Sequence, residues 1–332
     1  MPSIISRRSS ALAIALAIAL AIALVATLST ADAAEPTWKP ERTVTVIVPY
    51  SPGGGTDAQA RAVARELQRL WGQTVIVENV AGADGLIGTR KAIEAKPDGL
   101  TLLVQLPSLT LLKHLPTFKG IDPVTQLLPV SAFSAMSGVV VAASAVPVKT
   151  MADVVRHCRT AVQPCSLGTT ENIARLQARM LSVESALPNL IVANYKGGGQ
   201  LITDIVGNNI NLGIMGITAV LPHYKAGTLK VVMTMGAKRS SVAPEIPSAI
   251  EAGFPGFDVV TWYGLFAPKD TPPNIVQGIA AAVREAVKAE DLRKVFGTIG
   301  SEAIGNTPAE FATMVREEGE RFGALAKRFP IE

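Results

Sequence analysis

Runs of apolar residues alternate with amphipathic stretches along the first part of the chain. The runs Thr43–Pro49, Thr74–Glu78 and Leu100–Gln105 are aliphatic or β-branched and are typical of buried strands. Between the first two, apolar residues recur at the spacing of one helix face, at Ala60, Val63, Ala64, Leu67 and Trp71. A short helix through Glu94 follows the second run. This order, with its short connections, predicts a parallel sheet that carries helices on its faces.

A similar alternation fills the second part of the chain. Apolar runs predict strands at Val139–Ala145, Cys165–Gly168, Leu190–Asn194, Ile210–Met215 and Leu229–Met235. Helices are predicted between them, and Phe254–Ala267 reads as a long strand that could return the chain to the first part. Residues 107–138 show no clear period beyond one helix near Leu109–His114. The last helix begins at a capping box of Thr307 and Glu310. The chain is therefore expected to be α/β throughout, in two halves.

A glycine-rich loop, Tyr50–Asp57, separates the first predicted strand from its helix. Gly53, Gly54 and Gly55 let the backbone adopt positive φ and bring bare N–H groups close to a ligand. Thr56, with Gln59 three residues later, predicts a capping box that opens the helix. A helix start also exposes unpaired N–H groups and a partial positive charge, which suit a carboxylate or another anion.

The second half repeats this arrangement at Tyr195–Gly199, which precedes a helix predicted at Gln200–Val206. Two such loops facing each other across a cleft would hold a small anion by backbone amides. Other polar candidates lie at predicted strand ends, where open α/β sheets bind ligands: Ser51, Ser108, Thr169 and Thr170. Taken singly, each of these residues is equally compatible with a turn or a cap. Asp57 could favour the helix dipole or accept from a polar ligand group.

The residues that an enzyme would need are missing from the pattern. His114, His157 and His223 are isolated, and the chain has no nucleophile elbow, no zinc-protease helix motif and no metal-spaced cluster. The glycine-rich loop lacks the lysine of a phosphate-binding loop and the third glycine of a dinucleotide fingerprint. We therefore expect a binding protein without cofactor or metal. A secreted enzyme stays as the alternative.

The first residues indicate export. Arg7 and Arg8 precede an apolar run from Ala11 to Leu28, which ends in Ala31-Asp32-Ala33. A charged start, an apolar middle and a small-residue end predict a signal peptide over residues 1–33 and a mature protein outside the cytoplasm. The alternative is a retained membrane anchor. With 48% hydrophobic and 17% charged residues and a net charge of +4, the 332-residue chain is globular and has no basic tract for nucleic acid.

Cys158 and Cys165 are the two cysteines of the chain. In an oxidising compartment they could close a small disulfide loop with a structural role. The other interpretation is a pair of free thiols. A metal site is disfavoured because only His157 adjoins them.

A series of motifs in the same order resembles the substrate-binding proteins of tripartite tricarboxylate transporters, the Bug family. The motifs are VPYSPGGGTD, GQTVIVENVAGADGLIG, KPDGLTLL, YKGGG with TDIVGNNINLGI, LPHYKAGTLKVV, AKRS with APEIPSAIEAGFPGFDV, and WYGLFAPKDTPP. The resemblance covers nearly all of the mature chain. It implies a two-lobed periplasmic binding-protein fold of type II, with a ligand cleft between two α/β domains joined by crossover strands. Domain 1 would comprise residues 40–137 and 257–332, and domain 2 residues 138–256.

The resemblance also implies a function and a site. A monomer would capture a small organic carboxylate without a cofactor and deliver it to the permease subunits of a tripartite transporter. A ligand sensor for a membrane kinase is the alternative that uses the same fold. The implied ligand-binding residues are Tyr50, Ser51, Gly53, Gly54, Gly55, Thr56, Asp57, Ser108, Thr169, Thr170, Tyr195, Gly197, Gly198, Gly216 and Thr218.

The chain departs from the family pattern on the ligand side. Ser166–Gln177 replaces a segment that is usually richer in glycine and contains a histidine, Met215–Thr218 stands where Asp-Asn is common, and Gln105-Leu106-Pro107 replaces a small polar loop. A ligand that is unusual and more apolar than a simple dicarboxylate is therefore expected.

Overall fold

A computed structural model of the protein describes residues 38–115, 118–195 and 197–330. The predicted signal peptide lies outside the described residues. The strands are β1 Val44–Val48, β2 Val75–Asn79, β3 Thr101–Gln105, β4 Leu127–Ala143, β5 Ser166–Thr169, β6 Ile191–Asn194, β7 Leu212–Gly216, β8 Leu229–Thr234, β9 Val260–Pro268 and β10 Ser301–Ala303. The α-helices are α1 Gly55–Trp71, α2 Leu86–Ile93, α3 Ser108–Leu111, α4 Met151–Thr160, α5 Asn172–Glu184, α6 Gly198–Val206, α7 Ile217–Lys225, α8 Pro273–Ala286, α9 Glu290–Thr298 and α10 Pro308–Arg328. Four short 3-10 turns join them at Ala83–Gly85, Leu112–His114, Pro123–Gln126 and Pro255–Phe257.

The strands form one connected sheet in the order β2-β1-β3-β9-β4-β7-β5-β6, and β8 and β10 also pair with β4. The pairs of β1 with β2 and β3 are parallel, as are those of β5 with β6 and β7. The parallel sheet predicted for the first half is therefore confirmed, and the second half also has parallel strands. We call β1–β3 with their helices the first lobe, and β5–β7 with theirs the second lobe.

Two long strands join the lobes. From Leu127 to Ser137, β4 pairs antiparallel with β9, which in turn pairs with β3 of the first lobe. From Gly138 to Ala142, β4 pairs antiparallel with β7 of the second lobe. The single strand β4 thus pairs with strands of both lobes.

Apolar faces build the core as the periodicity predicts. The residues of α1 that recur at helical spacing are all buried, at Ala60, Val63, Ala64, Leu67 and Trp71. The strands β1 and β3, covered on both faces, are buried along almost their whole length. This burial is the main stabilising term, at about 25 cal/mol for each Å² of apolar surface removed from water.

Three expectations need correction. The unassigned stretch before residue 138 contains most of β4, which begins at Leu127 and not at Val139. Thirteen of its 17 residues are buried, so the stretch shows no two-residue alternation from which a strand could be read. The long strand expected from Phe254 begins only at Val260, because Pro255–Phe257 form a 3-10 turn. The third correction concerns the start of α1 and is described with the site.

The disulfide prediction is confirmed, since Cys158 at the end of α4 is bonded to Cys165 just before β5. The capping box of α10 is confirmed as well, with Thr307 and Glu310 each bonding the backbone N–H of the other. Within the described ranges, no helix is long and apolar enough to cross a membrane.

Candidate functional site

The first glycine-rich loop ends in a helix start without a side-chain cap. Helix α1 begins at Gly55, and Gly54 is its N-cap, with extended backbone angles of φ −79° and ψ 172°. The predicted capping box of Thr56 and Gln59 is therefore wrong. Hydrogen bonding within the helix starts with Ala58 N donating to Gly54 O at 3.0 Å. The N–H groups of Gly55, Thr56 and Asp57 precede that bond and have no acceptor inside the helix.

The Gln59 side chain does not bond to the helix start because it is buried and hydrogen-bonded in the core. Its amide nitrogen donates to Ser301 Oγ, and its amide oxygen accepts from Ser134 Oγ at 2.8 Å. Both partners are distant in sequence, so the local pattern could not reveal them. The bare start of α1 is the consequence.

Asp57 holds the loop in shape. Its carboxylate accepts hydrogen bonds from Gly53 N, Arg61 Nε and Asn79 Nδ2, each at 3.0 Å. Burial would raise the pKa of Asp57, but these bonds and the Arg61 charge outweigh it and hold the pKa below its ordinary value. Gly53 has φ +78°, a conformation that strongly favours glycine. Asp57 is thus the third residue of α1. Its carboxylate oxygens already accept hydrogen bonds, and these bonds stabilise the loop.

Tyr50, the first residue of the glycine-rich loop, belongs to the first lobe. Its hydroxyl donates to Gln105 Oε1 at 3.3 Å, and its carbonyl oxygen accepts from Asn79 Nδ2 at 3.1 Å. The ring packs on Gly85, where a Cβ would stand 3.3 Å from the ring. Burial raises the pKa of Tyr50 well above its ordinary value, and the charges of Glu171 and Asp84 add to this. Ser51 and the three glycines that follow in the loop are exposed.

The second lobe presents a matching helix start. Helix α6 begins at Gly198 after an N-cap, Gly197, in extended conformation and without a side-chain cap. Its first internal bond is long, from Leu201 N to Gly197 O at 3.5 Å. A Cβ at Gly197 or Gly199 would meet no atom within 4 Å, so the approach to this helix start is open.

Tyr195 and Thr169 support this loop from within the second lobe. The Tyr195 hydroxyl donates to Asp204 Oδ2 at 2.8 Å, and burial together with that bond raises its pKa to about 12. Thr169 Oγ1 donates to Asn194 Oδ1 at 2.8 Å. Both hydroxyl groups therefore have partners in their own lobe. Thr170, which follows β5, is partly exposed.

A chain of close contacts brings the helix starts of both lobes together. A Cβ on Gly55 would lie 3.6 Å from the Tyr263 hydroxyl, which contacts Met136 Sδ at 3.0 Å. The Met136 methyl group in turn approaches Gly216, the N-cap of α7, so closely that a Cβ there would stand 2.8 Å from it. Gly198 packs against the end of β7, where a Cβ would stand 3.3 Å from Met215 Cε. Thr218 is the second residue of α7.

Two polar contacts cross directly between the lobes. Ser108 Oγ, at the start of α3, donates to Glu171 Oε2 at 3.1 Å. Arg175 on α5 forms an ion pair with Asp84 at 3.1 Å. Ser108 was predicted at the site, whereas Glu171, Arg175 and Asp84 were missed. Glu171 directly follows the predicted Thr169-Thr170, so its position in the sequence was the available signal.

The described residues contain no group of three or more His, Cys, Asp or Glu side chains that could hold a metal ion. Two helix starts offer backbone N–H groups, and Ser108 and Glu171 meet between the lobes. Backbone N–H groups at a helix start can bind the anionic end of a small molecule.

The chain is similar in sequence and structure to several known proteins. Residues 59–330 match the tripartite tricarboxylate transporter family receptor. Protein BugT of Bordetella pertussis is 29% identical over 91% of this chain and 94% of its own length. The periplasmic binding protein BugD has a similar structure, with a TM-score of 0.81 and 26% identity over 88% of this chain and 99% of that one.

Two similar structures contain carboxylates. MatC from Rhodopseudomonas palustris with bound malate has a TM-score of 0.78 and 28% identity, over 86% of this chain and 99% of that one. Rpa4515 of R. palustris with adipate has a TM-score of 0.81 and 25% identity, over 87% of this chain and 97% of that one. With the match over residues 59–330, the protein belongs to the tripartite tricarboxylate transporter receptor family, whose members are periplasmic solute-binding receptors and not enzymes.

Proposed function

We propose that this protein binds a small organic carboxylate in the cleft between its lobes and delivers it to the membrane permease of a tripartite transporter. The observation that carries the proposal is the pair of uncapped helix starts, α1 at Gly55 and α6 at Gly198, linked through Tyr263, Met136 and Gly216. The malate and adipate bound by two structural relatives support the ligand class.

Backbone amides would supply the recognition. Each helix start leaves its first N–H groups without internal acceptors and carries a partial positive charge. A hydrogen bond from an N–H group to a carboxylate contributes about 1.5–3 kcal/mol. Three or four such bonds would therefore contribute about 5–12 kcal/mol before the cost of ordering the ligand, and micromolar affinity corresponds to about −8 kcal/mol.

The proposed site comprises the fifteen residues named from the sequence, with Glu171 added. Their roles differ. The loop glycines and Gly197–Gly198 offer amides, while Tyr50, Asp57 and Tyr195 hold the loops through bonds to Gln105, Arg61 and Asp204. We expect a monomer that binds one ligand and closes its lobes, divided into residues 40–137 with 257–332 and residues 138–256.

A ligand sensor for a membrane kinase would use the same site. The two roles differ in the partner and not in the cleft, so the match to the transporter receptor family over residues 59–330 favours transport.

The test of the site replaces Gly54 by serine. Gly54 already has the extended backbone of an N-cap, and a Cβ there meets only Ser51 O at 3.6 Å, so serine fits without strain. Its hydroxyl would accept from the free N–H groups of α1 and compete with the ligand. Calorimetric titration with a panel of mono-, di- and tricarboxylates should show about tenfold weaker binding by Gly54→Ser, with stability equal or slightly higher.

Ala289→Ser is the matched control. Ala289 is the uncapped N-cap of α9, which carries none of the residues placed in the cleft. It should gain up to about 1 kcal/mol of stability and keep full affinity. If the wild type binds no acid of the panel, the proposed function is contradicted. If Gly54→Ser binds with unchanged affinity, the role of the α1 amides is contradicted.

A further inference from the structure

Glu171 carries a carboxyl group at the point where the two lobes meet. It is the N-cap residue of α5, yet its side chain makes no hydrogen bond to that helix. Its Oε2 accepts instead from Ser108 Oγ of the first lobe at 3.1 Å. No hydrogen bond within the described part of the chain engages its other oxygen, Oε1. One oxygen of this acid is therefore left for a molecule that binds between the lobes.

The negative charge of Glu171 is not balanced by a cation. Within residues 38–115, 118–195 and 197–330, no side chain forms an ion pair with it. Arg175, one helical turn further along α5, is directed to Asp84 and to Asn172 Oδ1. Helix α3, which carries Ser108, has no titratable residue. An ionised Glu171 thus keeps its charge between the lobes, with a serine hydroxyl as its bonding partner.

Asn172, the next residue, has a donor without an acceptor. Its side-chain nitrogen, Nδ2, is buried and makes no hydrogen bond to any described residue. A buried donor of this kind is costly unless an oxygen from outside the chain reaches it. A carboxylate oxygen of a ligand would satisfy this nitrogen, but it would also bring a second negative charge beside Glu171.

The start of α1 presents the same conflict of charges from the first lobe. Tyr50 begins the glycine-rich loop, and the Tyr263 hydroxyl would stand 3.6 Å from a Cβ on Gly55. After burial, the charge of Glu171 is the largest cause that raises the pKa of either tyrosine. Glu171 therefore lies within electrostatic range of the groups around this helix start. When two carboxylates share such a site, the pKa of one rises strongly and the pair holds one proton.

We propose that Glu171 receives a ligand carboxylate as a neutral acid, with a proton on Oε1 that it donates to a carboxylate oxygen. That proton comes from the solution, so one ligand and one proton bind together whenever Glu171 is ionised in the free protein. Burial acts in the same direction, because it raises the pKa of Glu171 despite the bond from Ser108. The inference rests on the proposed function and adds to it a coupling between ligand binding and pH.

Calorimetry in pairs of buffers that differ in ionisation enthalpy counts the protons taken up with each ligand. The probes are the acids of the carboxylate panel, succinate, adipate and benzoate among them, titrated into the mature wild-type protein between about pH 5 and pH 9. The uptake should be near zero below the pKa of Glu171 in the free protein and should approach one proton per ligand above it. In that upper range the affinity should fall by up to about tenfold for each pH unit.

Glu171→Gln keeps a hydrogen-bond donor at this position and cannot titrate. It should take up no proton beyond what the ligand itself takes up, and its affinity should not change with pH. At about pH 8 it should bind about tenfold more tightly than the wild type, because its complex needs no proton. Glu184→Gln is the control for the charge change, since Glu184 is at the other end of α5, 3.9 Å from Arg328, and it should titrate as the wild type does.

The possible outcomes separate the inference from the proposed function. Binding without proton uptake at every pH, equal uptake by Glu171→Gln, or weaker binding by that variant at about pH 8 would each overturn the inference and leave the proposed function standing. If no acid of the panel binds to the wild type, both are overturned.

Discussion

Single residues decide whether the two helix starts can receive a ligand. At Gly54 the absence of a side chain leaves the first N–H groups of α1 uncapped, and at Gly197 the same holds for α6. Asp57 then fixes the first loop through Gly53, Arg61 and Asn79. The sequence alone identified the glycines and Asp57 as candidate site residues. The bond from Asn79 to Asp57 was not predictable, because Asn79 lies 22 residues away on strand β2.

A buried acid outside the cleft predicts a pH effect on stability. Glu318 on α10 accepts from Trp262 Nε1, and burial raises its pKa to about 7 despite that bond and the Arg321 charge. The folded state therefore holds this proton more tightly than the unfolded state. Its contribution is fully present below the unfolded pKa, near 4.5, and is lost as the pH rises through about 7.

Glu318→Gln keeps an acceptor for Trp262 and removes the titration. Between about pH 5 and pH 8, we expect the wild type to lose about 2–3 kcal/mol of unfolding free energy that the variant keeps. Urea denaturation at the two pH values measures this. Glu320→Gln, an exposed position on the same helix, serves as control and should follow the wild type. A constant difference between Glu318→Gln and the wild type at both pH values would contradict the assignment.

Elements were predicted best where one local signal decides them. The capping box at Thr307 and Glu310 is present as expected. The same pattern at Thr56 and Gln59 failed because Gln59 finds Ser134 and Ser301 in the core. Strand β4 was missed over its first half because burial on both faces removes the alternation that marks a strand. Local patterns therefore predict caps and amphipathic helices, and long-range packing overrides them at particular residues.

The disulfide joins two elements of the second lobe, α4 and β5. Its cysteines are separated by seven positions, so closing this short loop should stabilise the fold by about 2–3 kcal/mol through the unfolded state. The double variant Cys158→Ser, Cys165→Ser should lose that much in denaturant unfolding and bind the ligand normally. The reduced wild type should behave in the same way. Loss of affinity under conditions where both forms are folded would show that the bond also shapes the site.

At the scale of the whole molecule, the lobes are joined by β4 and β9 and meet again at two polar contacts. The sequence predicted two α/β halves and a site between them, and it placed Ser108 there. It could not pair Ser108 with Glu171, or Asp84 with Arg175, because these residues are 63 and 91 positions apart. Such pairs depend on how the lobes are set against each other, which no local pattern encodes.

The Asp84–Arg175 pair should slow ligand release. Asp84→Asn suits the left-handed backbone at this position, φ 54°, and removes the charge. We expect the dissociation rate to rise about three- to tenfold, with stability within about 1 kcal/mol of the wild type, because Asp84 is half exposed and ion pairs with an exposed partner contribute little to folding. The release rate should be measured directly by stopped flow. Removing the negative charge of Asp84 near Tyr50 also favours anion binding, so an equilibrium affinity alone would mix the two effects.

Glu78→Gln is the control for that variant, because Glu78 pairs with Lys91 inside the first lobe and not across the cleft. It should release ligand at the wild-type rate. An equal rise in both variants would indicate a general charge effect and would contradict a contact that holds the lobes together.

The most direct test of the account is a crystal structure of the mature protein with the tightest-binding acid of the panel. The account predicts a carboxylate oxygen within about 2.7–3.2 Å of backbone nitrogens at the start of α1, residues 55–57, or of α6, residues 198–200. A carboxylate held by side chains alone, or bound away from both helix starts, would contradict it.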